Sequence, residues 1–385
     1  MKYLLLGAGL QGTAIAFDLL RHAEGTRGLT ICDQDAGRLG ELAGRLNDER
    51  ARTVVADVRD HRALAPLVEE ADVVISAVNY WHNVELSRMA IELRSHFVDL
   101  GGNFEIVKKQ LALDGLARAS GVAVIPDCGL APGLAGILGY HLHGQFASVD
   151  ELRLRVGGLP QHPRPPLDYM LVFSVQGLIN EYIEPCLVVR DGEPCYVPAL
   201  SEVETLSFPP PLTSLEAFHT SGGVSTLPLT LAGKVRDLDY KTIRYRGHAE
   251  KVRTLVELGL TGSDTVRVDG CELRPRDFLA EMLVRALSVD DEDLVLLRVE
   301  CAGVSEGRRL HRSAQIIDYH DRKNNISAMM RTTGYPVAII AQMLASRQID
   351  SPGAHPQELV VPVEALLAQL RRRGIELTWN EAPLA

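Results

Sequence analysis

The first twelve residues, MKYLLLGAGLQG, constrain this chain more than any other stretch. Residues 3–6 form a short apolar run that reads as a buried β-strand, and it leads directly into Gly7-x-Gly9-x-x-Gly12. Behind the glycines, Ala14, Ile15, Phe17, Leu19 and Leu20 recur at helical spacing. Strand, glycine turn and helix in this order is the setting in which such a turn binds a dinucleotide. Gly7 permits the tight turn, Gly9 lets the backbone approach a pyrophosphate, and Gly12 lets helix and strand pack closely. Leu10 and Gln11 open the helix, whose free N–H groups and positive dipole end suit phosphate. The plain alternative is a chance glycine cluster in a strand–helix connection, and the flanking pattern weighs against it.

The next segments continue the same architecture. Residues 29–33 read as a second strand ending in Asp33. A carboxylate at that distance takes the adenosine ribose hydroxyls and repels a 2′-phosphate, so NAD is expected over NADP, a preference tempered by Arg38 one turn on. Asp33 or Asp35 also suits the N-cap of the following helix, and the two roles are compatible. Residues 53–57 read as a third strand, with Asp57 and Val58 at its carboxyl end where adenine rests in such folds. Residues 71–77 are a fourth, its end at Ala77 and Val78 bordering the nicotinamide half. Residues 96–100 are a fifth, followed by Gly101, and residues 122–126 a sixth. The expected fold class is α/β, a Rossmann doubly wound parallel sheet with its ligand crevice beyond the strand carboxyl ends.

After residue 127 the pattern changes. Asp127-Cys128-Gly129-Leu130-Ala131-Pro132-Gly133 breaks the alternation and leads into a helix over 134–143. Residues 151–156, 186–189, 241–245, 294–299, 315–319 and 326–330 read as strands of a mainly antiparallel sheet with helices on one side. Helical periodicity returns over 336–345 and 362–373. The expected domains are 1–127, an NAD-binding Rossmann domain; 128–334, an α+β substrate-binding and dimerisation domain; and 335–385, a helical segment packing back on the first.

Bulk properties exclude several classes of function. A net charge of −10 without a basic run leaves nothing to neutralise nucleic-acid phosphates. No run of apolar residues is long enough to span a membrane. The six cysteines are scattered without a C-x-x-C pair, which suits a reducing compartment. No signal peptide is read at the N-terminus, so a cytoplasmic location is expected. A small-molecule substrate and a homo-oligomer, dimer or tetramer, are the expected partners.

Candidates for chemistry lie at the sixth strand tip and in the second domain. Asp127 suits either the cofactor–substrate boundary or the cap of the next helix. Tyr169 follows a proline-rich loop, and His219 stands beside paired glycines. Around 240–248, Lys241, Ile243 and Tyr245 share one strand face, while Thr242, Arg244 and Arg246 share the other. Arg244 and Arg246 suit either a solvated face or a carboxylate clamp. His248 follows Gly247 at the strand end. His141 and His143 diverge on a helix, no third ligand has metal spacing, and no metal is expected. No G-x-S-x-G elbow is present, and Cys128 has no base beside it in sequence.

Six stretches together resemble the saccharopine dehydrogenase family: LLLGAGLQG at the start, VDLGGN (98–103), IPDCGLAPG (125–133), PPLDYMLVFS (165–174), EAFHTSGG (216–223) and YKTIRYRGHAEK (240–251). The resemblance implies oxidative deamination at the ε-carbon of L-lysine with NAD. His219, His248 or Asp127 would carry the proton, Arg244 or Arg246 would hold the α-carboxylate, and Tyr169 and Lys241 would line the substrate. Two other readings stand beside it. One is a reductive enzyme joining an amine to an aldehyde or keto acid. The other is a non-catalytic dinucleotide-binding regulator.

Overall fold

The structure is a computed structural model that describes residues 1–289 and 291–384. Two compact units emerge from the packing. The first comprises Met1–His141, Ser225–Leu227 and Met330–Leu377. The second comprises Leu142–Val224, Pro228–Met329 and the residues from Thr378 onward.

The first unit alternates strand and helix: β1 (Lys2–Leu6), α1 (Leu10–Arg21), β2 (Gly28–Asp33), α2 (Ala36–Leu46), β3 (Ala51–Val55), α3 (His61–Glu69), β4 (Val73–Ser76), α4 (Asn83–Glu92), β5 (His96–Asp99), α5 (Phe104–Leu111), α6 (Asp114–Ser120), β6 (Ala123–Ile125) and α7 (Leu134–His143). The sheet has seven strands, all parallel, because Gly353–Ala354 adds to β6. From that edge the order is β6, β5, β4, β1, β2, β3. The connection reverses direction between β1 and β4, and a ligand crevice opens beyond strand carboxyl ends at such a point. Leu4, Leu5 and Leu6 of β1, Val73 and Ile75 of β4, and Phe97 and Val98 of β5 are all buried. Continuous apolar runs are what a parallel sheet covered on both faces requires.

The second unit is built on a mixed nine-stranded sheet. Its strands include β7 (Ser148–Pro160), β8 (Cys186–Arg190), β9 (Glu193–Val197), β10 (Glu204–Leu206), β11 (Leu215–Phe218) and β12 (Val235–Tyr245). A hairpin, β13 (Val266–Val268) and β14 (Cys271–Leu273), stands apart, followed by β15 (Asp293–Ser305) and β16 (Arg308–Tyr319). β15 pairs antiparallel with both β7 and β16, while β7 and β12 run parallel. Gly157 has no room for a side chain, since a Cβ there would lie 2.5 Å from the Ile243 carbonyl oxygen of β12.

One expected strand is a helix. Residues 326–330 do not extend the sheet: Ile326 forms only a bridge with Asp321, and a helix runs Ala328–Ala345. Asp293 settles the matter by accepting the Ala328 and Met329 N–H groups at 2.7 and 2.8 Å, an N-terminal cap supplied from β15. Such a long-range cap leaves no local pattern. Pro336, expected to start that helix, lies inside it. The same helix packs on α1 through Gly334, where a Cβ would lie 2.8 Å from that of Ala14.

A buried ion pair ties the C-terminal segment of the first unit to α1. Asp18 and Arg373 are both fully buried, with Arg373 Nη2 donating to Asp18 Oδ2 at 3.0 Å and Gln342 Nε2 to the same oxygen at 3.1 Å. Breaking a buried pair leaves one charge uncompensated, whereas replacing both partners is far cheaper. Arg373→Leu is therefore expected to cost about 3–5 kcal/mol in denaturant unfolding, and Asp18→Leu with Arg373→Leu to recover most of it. An equal loss in single and double variants would assign the effect to packing instead.

Candidate functional site

The glycine turn has the geometry that a pyrophosphate needs. Gly7 has φ +105°, and a Cβ there would lie 2.7 Å from the Ala77 carbonyl oxygen and 3.2 Å from Val78 Cγ1. A Cβ on Gly12 would lie 2.0 Å from the Gly7 carbonyl oxygen, so only hydrogen fits. A Cβ on Gly9, by contrast, would meet nothing within 4 Å. Gly9 is the N-cap of α1; no side chain caps the helix, and no acid stands in its first turn. The N–H groups of the first turn, with Leu10 and Gln11, are thus placed for an anion. Asp33 supports the turn, its Oδ2 accepting the Ala8 N–H at 2.7 Å and its Oδ1 the Asp35 N–H at 2.9 Å. Capping of α2 falls to Asp35, which accepts from Gly37 and Arg38. Asp57 lies beyond the end of β3 in an ion pair with Arg59 at 2.5 Å, beside Val58. These residues fit a dinucleotide: two glycines are obligatory, the third is open, and the helix end is free of acid.

At the carboxyl ends of β5 and β6 lies a buried pair of acids. Asp99 accepts three N–H groups, from Gln110 Nε2 at 2.6 Å, Gly101 at 2.7 Å and Asp127 at 3.2 Å. Asp127 adopts a left-handed backbone, φ +62°, and its Oδ2 accepts the Ser225 hydroxyl. Its carboxyl packs directly over Gly101, where any Cβ would overlap Asp127 Oδ1. Burial, reinforced by the Asp99 charge, pushes the Asp127 carboxyl up to about 8. The Ser225 hydrogen bond opposes that rise without cancelling it. The short helix Gln357–Val360 adds Glu358, whose Oε2 accepts the Thr226 hydroxyl at 2.9 Å.

In the second unit, the expected residues separate into two clusters. The first surrounds His248, which is buried at the start of the helix His248–Glu257. Its Nδ1 lies 2.9 Å from the Leu167 carbonyl oxygen and its Nε2 2.9 Å from the Tyr182 hydroxyl. A carbonyl only accepts, so Nδ1 carries the hydrogen and Nε2 accepts from Tyr182. Burial, with the Arg244 charge nearby, pushes His248 down to about 3. Arg244 lies with its guanidinium 4.5 Å from the Tyr169 ring centre, its Nε 3.4 Å from the Tyr182 hydroxyl and its Nη2 3.9 Å from Glu181. Burial raises Glu181 to about 7. The Tyr169 hydroxyl is buried and has no hydrogen-bond partner among the described residues.

The second cluster surrounds His219, which is fully buried. Its Nδ1 faces the Tyr240 carbonyl oxygen at 3.2 Å, and its Nε2 lies 3.1 Å from Glu202. Burial lowers its proton affinity. Lys241 donates to the Glu202 carbonyl oxygen at 2.7 Å and to Glu204 at 3.2 Å. Arg155, almost completely buried, joins Glu204 and Asp239. Arg155, Arg190, Glu202, Glu204, Asp239 and Lys241 line a cleft of about 360 Å³, of whose lining His219 is not a part. Glu202, His219 and Asp239 place ligand atoms within 4.8 Å of one another. Arg155, Arg190 and Lys241 already neutralise those carboxylates, so this is the chemistry of an ion-pair network rather than of a cation cage.

Arg246 stands apart from both clusters. It lies in the turn beyond β12 and is exposed, so it does not share a strand face with Arg244. Sequence reasoning brings out Asp127, Tyr169, His219, Lys241, Arg244 and His248 but misses Asp99, Ser225, Glu181, Tyr182, Glu202 and Glu204. Asp99 carried a signal, an acid at a strand end before paired glycines. The others stand in unremarkable helix and loop sequence, or, for Glu204, at the start of the short strand β10.

The buried, neutral His248 makes a pH dependence. An unfolded histidine binds its proton near pH 6.5, and the folded one does so only at about 3. Between those values the unfolded state holds more protons, so stability falls as pH drops below the unfolded value. His248→Gln is expected to flatten that slope by about 1 kcal/mol per pH unit at most, measured by denaturant unfolding across the window. An unchanged slope would place the titration elsewhere.

Comparison with known proteins agrees with this geometry. Residues 3–125 match the saccharopine dehydrogenase NADP binding domain, and residues 129–375 match the saccharopine dehydrogenase C-terminal domain. The mitochondrial alpha-aminoadipic semialdehyde synthase of Mus musculus is 22% identical over 97% of this chain, which spans 47% of that protein's length. The NADP(+), L-glutamate-forming saccharopine dehydrogenase of Pyricularia oryzae is 23% identical over 64% of this chain and 56% of its own length. The chain thus spans about half the length of these curated relatives. Among solved structures, the apo L-Glu-forming saccharopine dehydrogenase of Saccharomyces cerevisiae shares the fold with a TM-score of 0.80, at 20% identity and 99% coverage of both chains. The NAD complex of the homospermidine synthase from Legionella pneumophila has a TM-score of 0.60 at 11% identity, covering 99% of this chain and 91% of its own. With both domains matched in order over nearly its whole length, the chain belongs to the saccharopine dehydrogenase family.

Proposed function

We propose that this protein is an NAD-dependent oxidoreductase acting on the CH–NH2 group of L-lysine, a lysine 6-dehydrogenase. The reaction removes the ε-amino group as ammonia and leaves an aldehyde that cyclises to a piperideine carboxylate. One observation carries the reading. Asp127, a buried carboxyl without a basic partner among the described residues, lies at the carboxyl end of the parallel sheet, where burial pushes it up to about 8. The free ε-amine holds its proton to about 10.4. A carboxylate of raised affinity narrows that gap and is suited to accept the amine proton.

The chain's own residues supply the rest. Gly7, Gly9, Leu10, Gln11 and Gly12 are assigned to the pyrophosphate, and Asp57 and Val58 to the adenine end. Ala77, Val78 and Gly101 are assigned to the nicotinamide half. A bound dinucleotide would supply the hydride acceptor for the amine-bearing carbon. Asp127 takes the amine proton beforehand; water then adds at the oxidised carbon, the nitrogen leaves as ammonium with a proton from that water, and Asp127 releases its proton to solvent. Within the second unit, the Tyr169 hydroxyl, unpartnered among the described residues and beside Arg244, supports assigning these two residues to substrate binding. NAD is preferred because the Asp33 carboxylate stands fixed at the tip of β2, held by Ala8 and Asp35. Arg38 is engaged with Asp35 at 3.4 Å rather than held ready for a 2′-phosphate.

The named relatives favour a second reading, a saccharopine-type enzyme in which the amine carbon is bonded to a glutamate nitrogen. Purified protein with lysine or saccharopine, each with NAD or NADP, separates the two by absorbance of the reduced cofactor. Lysine-dependent NADH formation with equimolar ammonia is expected; saccharopine oxidation without lysine oxidation would overturn the first reading. Asp127→Asn is expected to lower kcat roughly 10²–10⁴-fold. Asp33→Ser is expected to weaken NAD more than NADP, and an unchanged ratio would remove Asp33 from cofactor choice.

A further inference from the structure

Asp99 has no place in the scheme above, yet it is the most thoroughly bonded carboxylate of the site. It is fully buried at the end of β5. Three N–H groups point at it from three segments: the Gln110 side chain of α5, the Gly101 backbone, and the backbone of Asp127 itself. Gln110 is held in turn, its Nε2 also lying 3.0 Å from the Ser87 hydroxyl. Ser87 donates to the Asn83 carbonyl oxygen at 2.6 Å, and the Asn83 side chain accepts the Ser76 hydroxyl at 2.7 Å. A chain of buried polar groups thus runs from the end of β4 through α4 and α5 to Asp99.

Asp127 has a different environment. Its carboxyl accepts the Ser225 hydroxyl and is stabilised by the Gly102 N–H. Among the described residues, the charged groups that act on it most are both acids, Asp99 and Glu358. The Cys128 thiol next to it is pushed up by burial and by the same two aspartates, so it contributes no charge. Two buried acids that share a hydrogen bond, the Asp127 N–H lying 3.2 Å from the Asp99 carboxylate, and whose charges act on each other do not readily ionise together. Burial raises both carboxyls, but the three N–H donors oppose that rise at Asp99, so Asp99 ionises first and Asp127 holds its proton to higher pH.

We propose that Asp99 is the positioning residue of the site: as the ionised member of the pair, it makes Asp127 the carboxyl that holds and releases a proton. Gln110 and Gly101 act through Asp99 by stabilising its charge. The inference rests on the functional reading only in giving that proton a use; the division of labour between the two acids is a property of the protein alone.

The test is a ¹³C-carboxyl NMR titration of aspartate-labelled protein without added dinucleotide. Wild type is expected to show a carboxyl titrating at about 8, and Asp127→Asn to lose it. Asp99→Asn is expected to move that titration towards acid by about one unit or more, through loss of the neighbouring charge. Asn keeps an acceptor for Gly101 and Asp127, and Gln110 can turn its buried, unpartnered Oε1 towards the new amide. Gln110→Met, which deletes one donor and leaves both acids, is expected to shift the titration the same way by less. An Asp127 titration that ignores both changes overturns the proposal, as does a group near the wild-type value that survives Asp127→Asn.

With substrate, the pH profile of kcat in Asp99→Asn is expected to follow the NMR shift while KM for the amine holds. A fall in kcat on an unshifted profile would reduce Asp99 to a structural role and overturn the proposal. Wild-type protein inactive on every amine would reject the functional reading instead, and the NMR arm would still decide the roles of the two acids.

Discussion

The Gly7 carbonyl oxygen and Gly12 stand so close that nothing larger than hydrogen fits between turn and helix. This contact sets where α1 begins, and with it the direction of the helix N-terminus that would meet a pyrophosphate. The turn is fixed from two further sides. β4 closes over Gly7 through Ala77, and Asp33 at the tip of β2 holds the Ala8 N–H. Three strand ends therefore converge on one turn, and the strand order that places β4 and β2 on either side of β1 is what makes that convergence possible.

The acid pair follows the same logic on the neighbouring strands. Gly101 has to be glycine because the Asp127 carboxyl occupies the space a side chain would take. The same residue supplies one of the N–H groups that stabilise Asp99. Close approach of backbone and carboxyl is costly where polar groups lack partners. Partners for Asp99 and for Asp127 Oδ2 come from α5, from the segment at Ser225 and from the strand ends, while Asp127 Oδ1 is buried without one among the described residues.

In the second unit, β12 sorts its side chains between two environments. Asp239 and Lys241 alternate onto the His219 network, while Arg244 joins the Tyr169, Tyr182 and His248 cluster. The two histidines that look equivalent in sequence differ in what surrounds them. His248 is locked as a neutral ring between a carbonyl and a phenol, and His219 faces a carboxylate within a network of guanidinium and ammonium groups. Alternation along the strand is readable from sequence; which side chains wait on either face is not.

Local pattern was enough for the Rossmann strands, the obligatory glycines and the acid at the end of β2, because each depends on neighbours within a single strand–turn–helix unit. It was also enough to single out Asp127, Tyr169, Arg244 and His248 as polar residues in unusual places. It was not enough for the helix that begins at Ala328, whose cap comes from Asp293, nor for Arg246, which lies just past the end of its strand. The pairing of Asp99 with Asp127, the arrival of Ser225, and the partners of each histidine were decided by the tertiary structure alone. Those contacts join residues far apart in the chain, and burial, which changes what their charges do, exists only once the chain has folded.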